Sequence, residues 1–280
     1  MPVEDAVTRI YALANQKGGV GKTTTAINLS AYLAMLGQRV LLVDLDPQAN
    51  ATSSLGIDKN KVEGGVYDIL VDSAAPSDHM LHSQRLKLAL LPASPALAGA
   101  EVELVSMLSR ETQLKRALAK IDTVYDYILI DCPPSLGLLT LNGLVAARSG
   151  VIAPVQCEYL ALEGLGLLAQ TIARVRSALN PNLVLRGLVM TMFDSRAGLS
   201  RQVVEEVQKH FPGRIFRAVI PRNVRLAEAP SHGMPILTYA PTSAGGQAYQ
   251  ALAEELLKGD GVKPGRISEP PGRMPSEMTK

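Results

Sequence analysis

The chain has 280 residues, of which 47% are apolar and 19% are charged, and its formal net charge is +2. This composition is typical of a globular protein and excludes a disordered one, and the small net charge excludes a uniformly basic nucleic-acid coat but not a local basic patch. Two cysteines, Cys132 and Cys157, are too few for a disulfide scaffold or a cysteine-built zinc site, which favours a reducing cytoplasm. No apolar run approaches the roughly 20 residues that span a bilayer, so we expect a soluble protein.

Short β-rich apolar runs alternate with longer helical stretches along the chain. Strands are predicted at residues 10–14, 40–43, 86–91, 127–130, 150–154, 184–190 and 215–220, and helices at 23–36, 99–120, 136–147, 163–179, 200–211 and 245–258. This alternation predicts an α/β fold with a doubly wound, mostly parallel sheet flanked by helices. We expect one domain over residues 1–258, because no linker divides the chain. The Gly- and Pro-rich residues 259–280 are predicted to form a disordered tail.

A glycine-rich loop follows the first predicted strand and reads NQKGGVGKTT over residues 15–24. Glycines let successive backbone N–H groups point at phosphate oxygens, and the following helix N-terminus favours negative charge. Lys22 is predicted to reach the β- and γ-phosphates of ATP and the Thr23 hydroxyl to bind Mg²⁺. Gln16 stands where the common P-loop has its first glycine, so the match to that motif is incomplete. The predicted nucleotide-binding residues are Lys17, Gly18, Gly19, Val20, Gly21, Lys22, Thr23 and Thr24.

Acidic residues follow two of the predicted strands, at the edge where open α/β sheets bind ligands. Asp44 and Asp46 end the second strand and Asp131 ends the fourth. Asp131 is expected to hold Mg²⁺, directly or through a water, and Asp46 to orient the attacking water. Either aspartate alone is equally well explained as a helix cap or turn residue. That explanation weakens because both follow a phosphate-binding loop in the expected order.

Residues 17–24 resemble the deviant P-loop of the ParA/MinD superfamily, whose additional lysine corresponds to Lys17. The segments MFDSR at 192–196 and RNVRLAEAPSHG at 222–233 resemble the ParA/Soj branch, and the resemblance covers roughly residues 8–257. It implies an ATPase in which Lys17 crosses an ATP-sandwich homodimer, so that Lys17, Lys22 and Asp46 are catalytic. It also implies that Asp46 belongs to one switch, that residues 131–139 form the other, and that hydrolysis is slow and stimulated by a ParB/Spo0J-type partner.

A local basic excess lies between residues 194 and 225, which hold seven Lys and Arg against three Asp and Glu. Taken as charge alone, this pattern is typical of an ordinary solvated surface. The resemblance assigns Arg196 and Arg225 to nonspecific double-stranded DNA, with Lys209, Arg217 and Arg222 as further candidates. An ATP dimer would join two such surfaces and strengthen binding through multivalency.

A base-contacting loop is implied at Pro221 and Asn223, for which an ordinary turn is the alternative interpretation. Two alternative functions for the whole protein are a MinD-like membrane-cycling regulator and a metabolic ATP-dependent enzyme. The first needs an amphipathic basic C-terminal helix, which the proline-broken residues 259–280 do not supply. The second needs a second-substrate pocket, on which the sequence is silent. We therefore expect a cytoplasmic, nucleoid-associated protein with no membrane partner.

Overall fold

The computed structural model describes residues 8–159, 161–267, 272 and 274–280. Within them, seven strands form one sheet in the order β3-β4-β2-β5-β1-β6-β7, and every neighbouring pair is parallel except the antiparallel β3–β4 pair at one edge. The strands are β1 (Arg9–Leu13), β2 (Val40–Asp44), β3 (Leu81–Ser83), β4 (Leu88–Leu91), β5 (Tyr127–Asp131), β6 (Gly150–Gln156) and β7 (Leu185–Thr191). The central strands β2 and β5 are buried along their whole length and are apolar up to their terminal aspartates, as expected when helices cover both faces of a parallel sheet.

Helices cover both faces of this sheet. They are α1 (Lys22–Met35), α2 (Asn50–Ser54), α3 (Val66–Val71), α4 (Leu97–Glu103), α5 (Gln113–Ala119), α6 (Leu138–Ala146), α7 (Ala161–Ala178), α8 (Gly198–His210), α9 (Val224–Glu228), α10 (Ile236–Tyr239) and α11 (Ala244–Gly259). One hydrophobic core holds α1, α10 and α11 against one face, and a second core holds α3 to α8 against the other. No helix in the described part of the chain is long and apolar enough to cross a membrane. The predicted doubly wound α/β fold is confirmed.

The strand predicted at residues 215–220 is wrong. This segment runs beside β7 and makes only isolated bridges, at Ile215 and at Pro221. The reason is a competing acceptor, because the backbone N–H groups of Arg217 and Ala218 donate to the Glu255 carboxylate of α11, at 2.9 and 3.0 Å. Two consecutive amides are thereby turned away from the strand, which interrupts the ladder.

The single helix predicted at residues 99–120 is also wrong, because it is divided into α4 and α5 with two short 3₁₀ turns between them. The side chain of Asn142 in α6 stabilises this interruption by hydrogen-bonding to the backbone on both sides of the start of α5. Its side-chain amide donates to the Arg110 carbonyl at 2.7 Å, and its side-chain oxygen accepts from the Leu114 N–H at 3.1 Å. The short antiparallel strand β3 was not predicted from the sequence.

The described part of residues 259–280 contacts the domain at several places along its length. Asp260, directly after α11, accepts hydrogen bonds from the Tyr11 and Tyr127 hydroxyls at 2.8 and 3.0 Å. Gly265 donates to the backbone of α1's last turn, and Thr279 pairs with His82 of β3 in both directions. The disordered tail stays a prediction, and residues 268–271 and 273 lie outside the described residues.

Candidate nucleotide-binding site

The glycine-rich loop connects β1 to α1 at the carboxyl edge of the sheet. Gly19 and Gly21 have φ of 74° and 88°, in the left-handed region that favours glycine. Gly21 is the N-cap of α1 and offers no side chain to the first-turn N–H groups. These donors and the positive end of the helix dipole therefore face the loop, which is the arrangement that binds phosphate.

The two loop lysines differ in burial and in partner. Lys22 is 7% exposed, and its Nζ donates to the Lys17 carbonyl at 3.1 Å. Burial lowers the Lys22 pKa, and the nearby Asp131 and Asp46 carboxylates oppose that shift. The Lys17 side chain is about one-third exposed and forms an ion pair with Glu158, just after β6, at 3.5 Å. Sequence analysis did not identify Glu158 as this partner.

Asp131 is fully buried at the end of β5, and neither of its carboxylate oxygens has a normal hydrogen-bond partner among the described residues. Burial and the neighbouring Asp44 raise its pKa well above the ordinary value, while the Thr23 hydroxyl and Lys22 act in the opposite direction. Thr23 is in the first turn of α1, and its hydroxyl is the group that lowers the Asp131 pKa most. A buried carboxylate without donors is costly unless a cation is bound, so this pair fits Mg²⁺.

Asp44 holds α2 against the end of β2, a contact that sequence analysis missed. It is paired in register with Asp131 across the sheet. Its Oδ2 accepts from both the hydroxyl and the N–H of Thr52 in α2, at 2.7 and 2.8 Å. Burial raises the pKa of Asp44 to about 6, although the Thr52 donors lower it. The sequence showed Asp44 as an aspartate at the end of a strand, but only the fold shows that its carboxylate binds Thr52 of α2.

Asp46 lies two residues after β2 and is 7% exposed. Its Oδ1 accepts from the Gln48 N–H at 2.9 Å, and its carbonyl accepts from the Ala49 N–H at 2.8 Å. The carboxylate is close enough to Lys22 to oppose the lowering of that lysine's pKa. Asp46 is thus held in a tight turn beside the phosphate loop, and its part in orienting water stays a prediction.

A cavity of about 310 Å³ lies beside the phosphate loop, past the carboxyl end of β7. Its walls include Gly21, Thr24, Met192, Pro221, Asn223 and Leu226. The structure therefore brings the predicted base-contacting residues next to the predicted phosphate-binding ones. The Asn223 Oδ1 also accepts from the Arg225 N–H at 2.8 Å and so caps α9, which leaves its amide N–H₂ as the polar group for a base.

Three of the predicted DNA-contacting residues lie around the carboxyl end of β7 and are exposed: Arg196, Arg222 and Arg225. Arg196 forms a bidentate pair with Asp194 at 3.0 and 2.9 Å, and Arg222 is close enough to lower the Asp194 pKa further. Arg225 pairs with Glu228 at 2.8 Å.

Arg217 and Lys209 lie apart from that group. Arg217 borders an open groove beside α11, with Lys258 and Lys263. Lys209 is in the last turn of α8 and pairs with Glu206 of the same helix. Local spacing in the sequence did not distinguish these two positions from the other three.

Known proteins match nearly the whole chain. The AAA domain family matches residues 8–185. The sporulation initiation inhibitor protein Soj of Bacillus subtilis is 56% identical over 248 residues, which are 89% of this chain and 98% of that protein. The chromosome-partitioning ATPase Soj of Treponema pallidum is 51% identical, over 91% of this chain and 99% of its own.

A solved structure from Mycobacterium smegmatis is 42% identical and superposes with a TM-score of 0.80. The aligned region covers 94% of this chain and 100% of that chain, which is described as cobyrinic acid a,c-diamide synthase with bound ADP and magnesium. Identity above one half over most of both chains, with the loop and strand-end aspartates in place, is decisive for the family. The chain belongs to the ParA/Soj family of chromosome-partitioning ATPases.

Proposed function

We propose that this chain binds ATP and Mg²⁺, closes into a homodimer when ATP is bound, and in that state binds nonspecific double-stranded DNA. A ParB/Spo0J-type protein then stimulates slow hydrolysis, which releases the DNA and separates the dimer. The protein would act on the nucleoid during segregation. The observation that carries the proposal is the buried, unpartnered Asp131 carboxylate beside Thr23 and the phosphate loop.

Phosphate and metal binding follow from the groups at the carboxyl edge. The N–H groups of residues 18–23 and Lys22 take the phosphate oxygens, and Thr23 with Asp131 holds Mg²⁺, directly or through water. Bound Mg²⁺ neutralises charge on the transferred phosphoryl group. Pro221 and Asn223 border the adenine in the adjacent cavity.

Dimerisation requires Lys17 to leave its own Glu158. The pair is long, at 3.5 Å, and both side chains are more than one-third exposed, so its contribution to stability is small. In the dimer Lys17 reaches the partner subunit's phosphates. Asp46 holds a water in line with the terminal phosphorus, and because positioning supplies most of the rate in phosphoryl transfer, an incompletely assembled site turns over slowly.

DNA binding rests on the exposed Arg196, Arg222 and Arg225, and doubling them in a dimer supplies six phosphate-directed cations on one assembly. Binding through phosphates carries no sequence information and weakens steeply with salt. In the monomer the same arginines form a smaller surface, and two of them are paired with acids. ATP dependence then arises from multivalency.

The test measures affinity for a nonspecific duplex with ATP, with ADP and without nucleotide, across a salt series, using Asp46→Ala to slow turnover. Arg196→Ala and Arg225→Ala are compared with Arg174→Ala, an exposed arginine of α7 outside the proposed surface. We expect the protein to bind DNA with ATP, but not with ADP or without nucleotide. Each of the first two changes removes two arginines per dimer and lowers the slope of log affinity against log salt by about 2. No DNA binding by a closed ATP dimer, or equal losses in all three variants, would refute the DNA proposal.

A metabolic enzyme is the second candidate, because the 42% identical structure carries the name of an amide-forming synthase. ATP turnover that a carboxylic-acid metabolite stimulates, and that DNA leaves unchanged, would favour it. A MinD-like membrane cycle is tested by sedimentation with anionic liposomes and ATP. Pelleting of the protein with the liposomes would replace DNA with a membrane in the proposal.

A further inference from the structure

The base cavity and the DNA-contacting surface are built from the same two chain segments. The first segment is the end of β7 and the residues after it, where Thr191 and Met192 line the cavity and the exposed Arg196 lies four residues beyond Met192. The second segment is α9 with its cap, where Leu226 lines the cavity and the adjacent Arg225 is exposed on the outer side. Each predicted DNA-contacting arginine is thus within four residues of a cavity wall.

Backbone hydrogen bonds join the first segment to residues 220–222, which lead directly into the cap of α9, so that the two segments form one unit. The Phe193 N–H donates to the Ile220 carbonyl at 3.1 Å, and the Arg222 N–H donates to the Phe193 carbonyl at 3.0 Å. The Thr191 hydroxyl donates to the Val20 carbonyl of the phosphate loop at 2.9 Å, which ties this unit to the loop. The two cavity walls are therefore connected by direct hydrogen bonds and a short stretch of chain.

The wall formed by α9 depends on packing for its position. It has only five residues, and a helix this short has almost no stability of its own. Leu226 is its inward anchor, since it lines the cavity and also fills the space beside Gly245, where a Cβ would lie 2.8 Å from the Leu226 side chain. Without a base, Leu226 has packing partners on the α11 side and open cavity on the other.

We propose that Leu226 is a positioning residue that links the base of the bound nucleotide to the DNA-contacting arginines. A purine in the cavity gives Leu226 its missing contacts, holds α9 in place, and fixes the backbone from which Arg225 projects. The 192–196 segment follows through its hydrogen bonds to residues 220–222, which places Arg196 as well. This inference rests on the proposed function, and it adds that DNA affinity responds to the base and not only to the phosphates that close the dimer.

Hydrogen exchange on the full chain tests the link between base and wall without DNA. The Mg²⁺ complexes of ADP and of inorganic tripolyphosphate are compared with the nucleotide-free protein. ADP is expected to slow amide exchange in the phosphate loop, in residues 192–196 and in α9, whereas tripolyphosphate slows it in the loop alone. The inference is overturned if ADP protects the loop but not α9, or if tripolyphosphate protects α9 as strongly as ADP does.

DNA affinity of the ATP dimer tests the consequence for the arginines. Leu226→Ala is compared with the volume-conserving Leu226→Met and with Val224→Ala, which changes an exposed residue of the same helix outside the cavity. All three carry Asp46→Ala, and nucleotide saturation and dimer fraction are measured directly in each. At equal saturation and dimer fraction, Leu226→Ala is expected to bind a nonspecific duplex about fivefold more weakly, while the other two match the parent.

The outcomes separate this inference from the function on which it rests. DNA affinity of Leu226→Ala equal to that of Val224→Ala overturns the positioning role even if the parent binds DNA with ATP. A loss shared by Leu226→Ala and Leu226→Met, with Val224→Ala unaffected, also overturns it, because Met supplies the packing volume. Failure of the parent to bind DNA refutes the proposed function, and the exchange experiment then still decides whether the base orders α9.

Discussion

The Thr52 hydroxyl connects α2 to the end of β2 and to the segment after β4, and the cost of its removal follows from these contacts. Thr52 is fully buried in α2. Its hydroxyl donates to the Asp44 carboxylate at 2.7 Å and accepts from the Ala93 N–H, beyond β4, at 3.0 Å. Thr52→Val keeps the shape of the side chain but removes both bonds, so it isolates the polar contribution.

The expected destabilisation is about 3 kcal/mol. A hydrogen bond to a charged group contributes roughly 1.5–3 kcal/mol, and a buried N–H left without a partner costs roughly 1–3 kcal/mol. The Thr52 N–H still donates to Asp44, so the carboxylate keeps one strong donor, and the lower part of the summed range applies. At roughly 2–4 °C per kcal/mol for a domain of this size, Tm is expected to fall by about 6–12 °C.

The assay is urea unfolding of Thr52→Val and of the control Thr52→Ser in the nucleotide-free protein. Serine keeps the hydroxyl and loses one buried methyl group, which costs about 1 kcal/mol. We therefore expect Thr52→Val to be the less stable variant by about 2 kcal/mol. Equal stability of the two variants, or a more stable Thr52→Val, would show that these bonds do not hold α2 to the sheet.

Three further predictions concern stability away from the phosphates. Gly65→Ala is expected to lower the free energy of unfolding by at least about 2 kcal/mol, measured with urea, because its Cβ would overlap the Pro92 carbonyl oxygen. The control is Gly198→Ala, whose Cβ meets nothing within 4 Å, and equal stability of the two variants would contradict the prediction. Asp260→Asn is expected to lose about 2 kcal/mol, since this 5%-exposed carboxylate pairs with partly exposed arginines; an unchanged Tm would contradict that. Burial raises the Asp126 pKa, but the hydrogen bonds from Arg39 outweigh burial and leave the pKa below the ordinary 3.8. The parent protein should therefore have a higher Tm than Asp126→Asn at pH 5, and this difference should disappear as the pH falls below 3.8. A Tm difference that grows on acidification would contradict the prediction.

The sequence by itself determined the fold class, and it predicted the residues of the phosphate-binding loop. A glycine loop between a strand and a helix, and aspartates directly after two apolar strands, are local patterns. Parallel strands bring their carboxyl ends to one edge, so the pattern alone predicts that Lys22, Thr23 and Asp131 meet. The structure places them together, with Asp131 buried and unpartnered as a metal ligand would be.

Tertiary structure decided the features that depend on partners far apart in the chain. The Glu255 carboxylate accepts hydrogen bonds from two backbone N–H groups of residues 215–220, the segment predicted as the last strand. Asn142 divides the helix predicted at residues 99–120 through its hydrogen bonds to the backbone between α4 and α5 and at the start of α5. Neither position has a local signal, because the competing acceptor or donor lies 28 to 38 residues away in sequence. Burial and hydrogen-bond satisfaction act on the whole fold, and they override local propensity wherever a distant polar side chain offers the backbone a better partner.

The same distinction holds within the candidate site. Asp44 was visible as an acidic residue, but its bonds to Thr52 exist only because α2 folds back over the end of β2. Leu226 and Met192 lie 34 positions apart and line the same cavity, because residues 220–222 are hydrogen-bonded to Phe193. Local sequence therefore predicted which groups would bind phosphate and metal, whereas packing between distant segments decided how the cavity beside the phosphate loop lies relative to the arginines proposed to contact DNA.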